Sequence, residues 1–316
     1  MGGLKVRSPS RTANLVVISM NPSAGARSGR DQVERLQSLL QEDGYQVRRT
    51  SDLEELRQIS ATAMTEGNLR VVVAAGGDGT IARILNETGA GIPLTILPLG
   101  TENLLSKYLS IDPGPESVAS LVRDGWTVDL DVGRANGTLF TLMLGCGFDA
   151  EVVRRLDDAR RGHIRHLSYL RPILDTIRHY DYPEIRVSLC GQGVDKTATP
   201  LTARWVFVVN LPRYAGNLKM IPAATGTDGL LDLCTFRRGS FLQGLRYLTG
   251  VLRGKHQEMG DCVMLQTPGL RLESDRPVPY QLDGDPGGEL PVEVEVVPGR
   301  LSVMVPAAWV ESQNSG

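Results

Sequence analysis

Residues 69–86, LRVVVAAGGDGTIARILN, decide the fold of this chain. The first half is a run of apolar, largely β-branched residues, which is typical of a buried parallel strand. The second half has helical spacing, so the glycines of Gly76-Gly77-Asp78-Gly79-Thr80 are predicted to lie at a strand-to-helix turn. Glycines let backbone N–H groups approach a polyanion with no Cβ in the way, and the positive end of the new helix points to the same place. The turn therefore predicts a phosphate-binding site.

Asp78 adds information, because a carboxylate among these amides would repel a bare phosphate. Its presence indicates a Mg²⁺ ion or a substrate hydroxyl nearby. A tight turn in which Asp78 caps the following helix explains the same residues, so both interpretations stay open at this point.

The stretch lies within a region that alternates strands and helices. Strands are predicted at residues 15–19, 46–50, 69–75 and 94–97, and amphipathic helices at residues 31–40 and 53–64. This βαβα order predicts a Rossmann-like α/β domain with a parallel sheet covered by helices. Ligands of such sheets bind at the carboxyl ends of the strands, where the glycine-rich turn lies.

After residue 131 the pattern changes to short strands separated by Gly, Pro or charged turns. Strands are predicted at residues 138–144, 185–190, 204–209, 230–236, 262–266, 292–297 and 301–305. Helices are few and are expected mainly within residues 151–180 and 240–252. The sequence therefore predicts a nucleotide-binding domain at residues 1–131 and a mainly antiparallel β-sandwich at residues 132–299.

Length, charge and cysteine usage narrow the functional classes. A chain of 316 residues is long for a single core. A net charge of −2 and 5% aromatic residues give no basic or stacking surface for nucleic acid. Four scattered cysteines argue against a zinc site or disulfide framework and favour a reducing cytoplasm. Apolar runs are far shorter than the ~20 residues of a spanning helix, so any membrane contact is expected to be peripheral.

Five further blocks accompany the glycine-rich turn. They are Asn21-Pro22-Ser23-Ala24-Gly25, Gly100-Thr101-Glu102-Asn103, Gly145-Cys146-Gly147-Phe148-Asp149-Ala150, the segment from Pro222 to Asp232, and Leu282-Asp283-Gly284-Asp285. In this order, the six blocks resemble the diacylglycerol kinase catalytic-domain family, which also contains sphingosine and ceramide kinases and soluble bacterial lipid kinases. The resemblance implies a NAD kinase-like first domain, a β-sandwich second domain, and a return of residues after about 300 to the first domain.

The two glycine-rich turns are the expected nucleotide cradle. The hydroxyls of Thr80 and Thr101 can donate to phosphate oxygens, and Asn21 and Thr50 lie at neighbouring strand ends. Together with the resemblance, this gives a set of nucleotide-binding candidates: Asn21, Thr50, Gly76, Gly77, Gly79, Thr80, Gly100, Thr101, Asn103 and Asp285. An Asn-Pro turn is the alternative for Asn21, and a helix cap is the alternative for Asn103. Asp285 stands where the family has Glu, so a contact to Mg²⁺ or ribose would have to pass through water.

Asp283 is the leading candidate for the general base, and this role is implied by the resemblance. The base would accept the proton of the lipid hydroxyl. A solvated hairpin turn is the alternative, because the sequence Asp-Gly-Asp-Pro-Gly-Gly suits such a turn by itself. Asp78 is a competing base, because the glycine-turn Asp has that role in sphingosine kinase-like members.

The resemblance also implies a Mg²⁺ site at Asp228, Asp232 and the backbone carbonyl of Leu230. Hard cations favour such oxygen ligands. A turn that caps a strand is the alternative. Asn217 and Lys219 stand where the family often has glycines, so the similarity weakens just upstream.

Seven arginines and three histidines, His163, His166 and His179, lie between residues 154 and 179. Two interpretations are open: a solvated surface helix, or a basic face that approaches anionic lipid headgroups.

The resemblance implies an ATP-dependent lipid kinase that transfers the γ-phosphate of ATP, with Mg²⁺, to a lipid hydroxyl. Diacylglycerol or a sphingoid-type lipid is the expected acceptor, met at the membrane surface by a cytoplasmic, peripherally associated enzyme, with a homodimer as a further expectation. A NAD kinase-like enzyme acting on a soluble substrate is one alternative, because Gly-Gly-Asp-Gly-Thr also occurs there. A lipid-binding pseudokinase is the other.

Overall fold

The computed structural model describes residues 4–8, 10, 12–20, 27–159, 176, 178–191, 199–214 and 218–314. The chain divides into two compact units: Met1–Asp131 together with Pro298–Gly316, and Val132–Val297. In the described part of the chain, no helix has both the length and the apolar character needed to cross a membrane.

The first unit is an α/β domain. Its strands are β1 (Val6–Arg7), β2 (Leu15–Met20), β3 (Gln46–Thr50), β4 (Leu69–Gly76), β5 (Leu94–Pro98) and the first part of β6 (Trp126–Ala135). Its helices are α1 (Arg27–Glu42), α2 (Leu53–Thr65), α3 (Asp78–Glu87), α4 (Leu104–Tyr108), α5 (Pro115–Asp124) and a C-terminal helix, Ala307–Asn314.

A parallel sheet forms the centre of this unit. Its order is β3-β2-β4-β5, followed by the end of the last strand, Val292–Val305. All residues of β4 are buried, as expected for a strand covered by helices on both faces. The predicted parallel sheet is confirmed. The glycine-rich turn follows β4, which is a strand near the middle of this sheet.

The second unit is built mainly of antiparallel strands. They are β7 (Thr138–Phe140), β8 (Met143–Gly147), β9 (Ile185–Cys190), β10 (Leu201–Ala203), β11 (Trp205–Val209), β12 (Arg213–Tyr214), β13 (Leu218–Lys219), β14 (Leu231–Phe236), β15 (Cys262–Thr267), β16 (Gly269–Glu273), β17 (Pro279–Leu282), β18 (Asp285–Glu289) and the first part of β19 (Val292–Val305). The helices are α6 (Phe148–Ala159), α7 (Phe241–Leu252) and a 3₁₀ turn, His256–Glu258; the C-terminal helix of the first unit is α8.

Two layers of strands enclose the core of the second unit. One layer has the order β15-β14-β11-β8-β17-β18, and the other has the order β10-β9-β16-β19. A single cluster of buried apolar residues draws on both layers, for example Val206 and Leu233 from one and Leu270 and Val294 from the other. The predicted antiparallel β-sandwich is therefore confirmed.

Two strand predictions are wrong in detail. The single strand predicted at residues 138–144 is broken after Phe140, because the next backbone amides bind a carboxylate instead of a neighbouring strand. The two strands predicted at residues 292–297 and 301–305 are one continuous strand. The turn expected at Pro298-Gly299 is part of this strand, and the amide of Gly299 donates to Asp131 at 2.7 Å.

Candidate active site

The first glycine-rich turn joins β4 directly to α3. Gly77 takes the N-cap position of the helix, and the amide of Thr80 donates to the Gly77 carbonyl at 2.9 Å. The buried Thr80 side chain lies over Gly76, where any Cβ would overlap the Thr80 hydroxyl. The turn therefore requires glycine at this position, and the first amides of α3 stay at the end of the strand.

The second glycine-rich turn follows β5 and is closed by Asn103. The Asn103 side chain accepts from the Gly100 amide at 3.1 Å and donates to the Gly100 carbonyl at 2.7 Å. Asn103 has a left-handed backbone (φ 48°) and occupies the N-cap position of α4, but its side chain makes no bond to the helix amides. The side chain shapes the loop rather than the helix.

Asp78 ties the two turns together. One carboxylate oxygen accepts from the Leu104 amide at 2.9 Å and the other from the Leu105 amide at 3.0 Å. The turns also touch, since a Cβ on Gly100 would lie 2.7 Å from Cα of Gly77. Asp78 thus caps α4 across the gap, and each of its oxygens keeps a second acceptor position.

The returning C-terminal segment supports both helices that follow these turns. The Arg300 guanidinium donates to the Leu85 carbonyl at 2.7 Å, at the end of α3, and also to the carbonyls of Thr88 and Gly89. The Trp309 indole donates to the Tyr108 carbonyl at 2.9 Å, at the end of α4. The returning C-terminal segment therefore supports the two helices that follow the turns, in addition to the contacts between the turns themselves.

The other nucleotide candidates of this unit differ in their surroundings. Thr50 is buried, and its hydroxyl donates to the Asp52 carbonyl and the Glu55 carboxylate at the start of α2. Thr101 is exposed at the second turn. Asn21 lies outside the described residues.

A small indentation lies beside the first turn and reveals a cation that sequence reasoning missed. Its lining residues are Ser19, Met20, Ser51, Leu53, Thr80, Arg83 and Ile84. Arg83 is exposed and follows Thr80 by one helical turn, a spacing that places it near the N-terminal end of α3. The spacing of three residues between Thr80 and Arg83 could have identified Arg83 as a candidate from the sequence.

In the second unit, Asp283 lies in a two-residue hairpin turn between β17 and β18. Asp283 and Gly284 both have positive φ (52° and 91°), as a tight primed turn requires. The Asp283 carboxylate accepts from the amides of Thr141 (2.6 Å), Leu142 (2.8 Å) and Met143 (2.9 Å), and from the Thr141 hydroxyl (2.9 Å). These bonds explain why the strand predicted at 138–144 is broken.

The four donors occupy both carboxylate oxygens of Asp283. Burial raises the pKa of Asp283, and the backbone amides act against that shift by favouring the charged form. Only the Thr141 hydroxyl among the four donors can rotate away. A lone pair for an incoming proton therefore becomes available only when this hydroxyl turns away from the oxygen that it contacts.

A buried polar network lies behind the Asp283 turn. Gln281 donates to Asp149 at 2.9 Å and accepts from the Gly284 amide at 2.7 Å, while the Tyr214 hydroxyl donates to the other oxygen of Asp149. Burial raises the pKa of Asp149. Sequence reasoning missed Gln281 and Tyr214, although Asp149 lies in one of the family-like blocks.

Asp228 and Asp232 lie close enough to influence each other. Asp228 accepts from the Leu230 amide at 3.0 Å and from the Gln266 side chain at 3.2 Å. Asp232 is buried, and one of its oxygens has no hydrogen-bond partner. Burial, and then the charge of Asp228, raise the pKa of Asp232 to about 6. An unpartnered buried carboxylate oxygen beside a second carboxylate fits a hard cation.

That pair would need further ligands from elsewhere. Among the described residues, no group of three or more His, Cys, Asp and Glu side chains is placed to hold a metal. A backbone carbonyl such as that of Leu230, with water, would have to complete the shell. Asp285 is exposed at the start of β18, and the histidines His163 and His166 lie outside the described residues.

The fold matches that of known kinases. The chain is similar to the crystal structure of a diacylglycerol kinase from Bacillus anthracis str. Sterne, with 20% identity, a TM-score of 0.68, and coverage of 95% of this chain and 99% of that chain. It is also similar to an NAD kinase from Archaeoglobus fulgidus in complex with ATP, with 12% identity, a TM-score of 0.50, and coverage of 95% and 97%. The fold class is thus that of diacylglycerol kinases and NAD kinases.

Sequence comparison then gives the family. Residues 14–135 match the diacylglycerol kinase catalytic domain, and residues 143–305 match the YegS C-terminal NAD kinase beta sandwich-like domain. A diacylglycerol kinase of Mycobacterium tuberculosis is 30% identical over 262 residues, which cover 81% of this chain and 82% of that protein. The chain belongs to the diacylglycerol kinase catalytic-domain family, and the resemblance found in the sequence is confirmed.

Proposed function

We propose that this protein is an ATP-dependent lipid kinase, which transfers the γ-phosphate of ATP to the hydroxyl of diacylglycerol or a sphingoid-type lipid. The observation that carries the proposal is the contact between the two glycine-rich turns at the ends of adjacent parallel strands. The family membership and the name of the Mycobacterium tuberculosis relative support a lipid as the acceptor.

The first unit supplies the proposed nucleotide contacts. Backbone amides at Gly76, Gly77, Gly79 and Gly100, with the hydroxyls of Thr80 and Thr101, bind the phosphates, and the start of α3 adds its positive dipole. Asp78 and Asn103 fix the shapes of the two turns through the bonds described above. Asn21, Thr50 and Asp285 complete the proposed set.

The second unit supplies the proposed base. The lipid hydroxyl oxygen forms a bond to the γ-phosphorus while the bond from that phosphorus to the β-bridging oxygen breaks and ADP leaves. Asp283 accepts the hydroxyl proton after the Thr141 hydroxyl turns away. Asp78 competes for this role, because it keeps open acceptor positions beside the first turn.

Asp228, Asp232 and the Leu230 carbonyl are the proposed ligands of Mg²⁺. The unpartnered oxygen of Asp232 supports this assignment. When bound, the cation offsets negative charge on the β- and γ-phosphates. The enzyme meets its lipid at a bilayer surface facing the cytoplasm, as a peripheral protein and as a monomer or homodimer.

A NAD kinase-like activity is the second candidate, favoured by the similarity in fold. The test is a panel of acceptors incubated with Mg·ATP: dispersed diacylglycerol, sphingosine, ceramide and NAD, with products identified by mass spectrometry. We expect a phosphorylated lipid and no NADP. NADP as the main product would replace the proposal by the second candidate, and no phosphorylated acceptor in any reaction would favour a lipid-binding pseudokinase.

A further inference from the structure

Helix α7 carries apolar side chains on a face that the protein covers only in part. Phe241, Leu245, Leu248 and Leu252 follow the spacing i, i+4, i+7 and i+11 and form one row along the helix. Leu252 is 59% exposed and Phe241 43%, whereas Leu245 and Leu248 are half-buried; Leu242, beside the row, is 74% exposed. The face of α7 that packs on the sandwich is a different one, formed by Gly244, Tyr247 and Gly250.

Cations surround this row. The segment from residue 237 to residue 255 contains no Asp or Glu and five basic residues: Arg237, Arg238, Arg246, Arg253 and Lys255. Asp261 pairs with Arg246 at 3.1 Å and lies 3.9 Å from Arg238. Within the part of the chain that the structure describes, the side chains of Arg237, Arg253 and Lys255 form no ion pair. Because the whole chain has a net charge of −2, this positive segment is a local feature.

We propose that this α7 surface, residues 237–255, docks on the anionic phospholipid surface of a bilayer. Leucine and phenylalanine side chains enter the boundary between headgroups and acyl chains, while the arginines and Lys255 contact lipid phosphates. The proposal rests on the lipid kinase function above, because such an enzyme needs a stable position on the membrane that holds its substrate. The proposal places the membrane contact on α7. The basic stretch that the sequence predicted for contact with anionic lipid headgroups, residues 154–178, lies mostly outside the described residues.

Charge favours a bilayer over a second copy of the chain. In a two-fold symmetric dimer the same surface faces itself, so the five basic residues of one copy would meet those of the other. An anionic bilayer presents negatively charged headgroups and, below them, an apolar acyl-chain region. The proposal therefore needs both properties of the α7 surface.

Vesicle sedimentation without ATP tests docking directly. Vesicles of phosphatidylcholine with and without phosphatidylglycerol are used as the probe. For the variant Leu242→Ser/Leu252→Ser we expect roughly tenfold weaker binding to the mixed vesicles, because two exposed leucines that the bilayer would bury are lost. Met64→Ser is the matched control, because Met64 is an exposed apolar residue (39%) on another helix, and its binding should not change.

A second variant tests the contribution of the positive charge of the α7 surface separately from that of its apolar side chains. Arg253→Gln/Lys255→Gln should weaken binding to phosphatidylglycerol vesicles roughly tenfold and leave the weak binding to pure phosphatidylcholine unchanged. Arg186→Gln/Arg271→Gln removes the same charge from the sandwich and is the control. Equal loss in both double variants would overturn the proposal, since only net charge would then matter.

Two further outcomes would also overturn it. One is unchanged vesicle binding in the leucine variant. The other is a dimer in sedimentation velocity that the leucine variant dissociates, which would make the surface a contact between copies. A short-chain, monomeric lipid substrate separates the docking hypothesis from the kinase hypothesis. If the variants lose only membrane docking, they should still phosphorylate this lipid. If the wild type does not phosphorylate it, the kinase function itself is contradicted.

Discussion

At the residue scale, Asp283 is the most constrained acidic group of the candidate site. Its four donors fix the carboxylate in one orientation, and its pKa is raised by burial. A base acts only when ionised, so turnover should fall as the pH is lowered through this raised pKa. The Thr141 hydroxyl decides whether a lone pair is open.

The variant Asp283→Asn tests the base. Asn keeps the shape but cannot accept the proton, and its NH2 group also faces a backbone N–H donor, so thermal unfolding must first show that the variant is folded. We then expect turnover to fall roughly 10²–10⁴-fold with little change in nucleotide affinity. The acidic limb of the pH–rate profile should disappear with it. Asp78→Asn should weaken nucleotide binding as well as turnover, because the two turns lose their tie. The reverse pattern, with near-normal turnover in Asp283→Asn, would move the base to Asp78.

Asp232 gives a prediction about stability. Its raised pKa, about 6 against an ordinary 3.8, means that ionisation disfavours the folded state. Its stabilising contribution is full below pH 3.8 and is lost as the pH rises through about 6. At pH 7 without divalent cations, Asp232→Asn should therefore raise the free energy of unfolding by about 1 kcal/mol, after allowance for solvent screening.

Thermal unfolding with millimolar MgCl₂ or a chelator completes that test. The wild type should gain stability from Mg²⁺ by mass action, and Asp232→Asn should lose that gain. Asp275→Asn, an exposed carboxylate of the same unit, is the control and should behave like the wild type. A Mg²⁺-dependent gain that survives in Asp232→Asn would remove Asp232 from the proposed site.

Gly100 tests the contact between the turns. A methyl group there would lie 2.7 Å from Cα of Gly77 and 2.8 Å from the Asn103 oxygen, so the turns must move apart. We expect Gly100→Ala to weaken ATP binding by roughly 5- to 100-fold, measured by calorimetry. Gly89→Ala, where no atom lies within 4 Å of the new methyl group, should bind ATP normally. Equal affinities would show that the contact does not shape the nucleotide site.

At the element scale, Arg300 of β19 connects the end of the chain to the end of α3. Arg300→Met removes its bonds to three helix-end carbonyls and should cost about 2 kcal/mol of stability, with Arg300→Lys in between. Hydrogen exchange should rise in the peptides of α3 and stay unchanged in those of β14. A uniform rise in both units would instead indicate global destabilisation.

Periodic patterns predicted the parallel strands β2 to β5 and many strands of the sandwich, but β10, β16, β17 and β18 were not predicted. The strands at residues 46–50 and 185–190 were predicted with their observed bounds, because their patterns depend on neighbouring residues alone. The break after Phe140 depends on Asp283, which is 142 positions from Thr141, and no local pattern contains that information. The same holds for the network of Asp149, Gln281 and Tyr214, whose members are adjacent only in the folded chain.

At the scale of the whole molecule, the candidate functional residues are divided between two units of different architecture. The α/β unit contains the two touching glycine-rich turns, and the sandwich contains Asp283 and the pair Asp228 and Asp232. Ordered motifs along the chain predicted the family, because each motif keeps its sequence wherever the fold places it. The contacts of individual side chains could be identified only from the folded structure.

In the proposed reaction the γ-phosphoryl group passes from ATP to a lipid hydroxyl. The most direct measurement uses ATP labelled with ¹⁸O at the non-bridging γ-oxygens, Mg²⁺ and dispersed diacylglycerol or sphingosine, with the lipid product analysed by mass spectrometry. We expect a lipid phosphate that carries all three labelled oxygens, because the bridging oxygen comes from the lipid. Asp283→Asn should form this product at a greatly reduced rate. Labelled inorganic phosphate with no labelled lipid phosphate would contradict the proposed transfer.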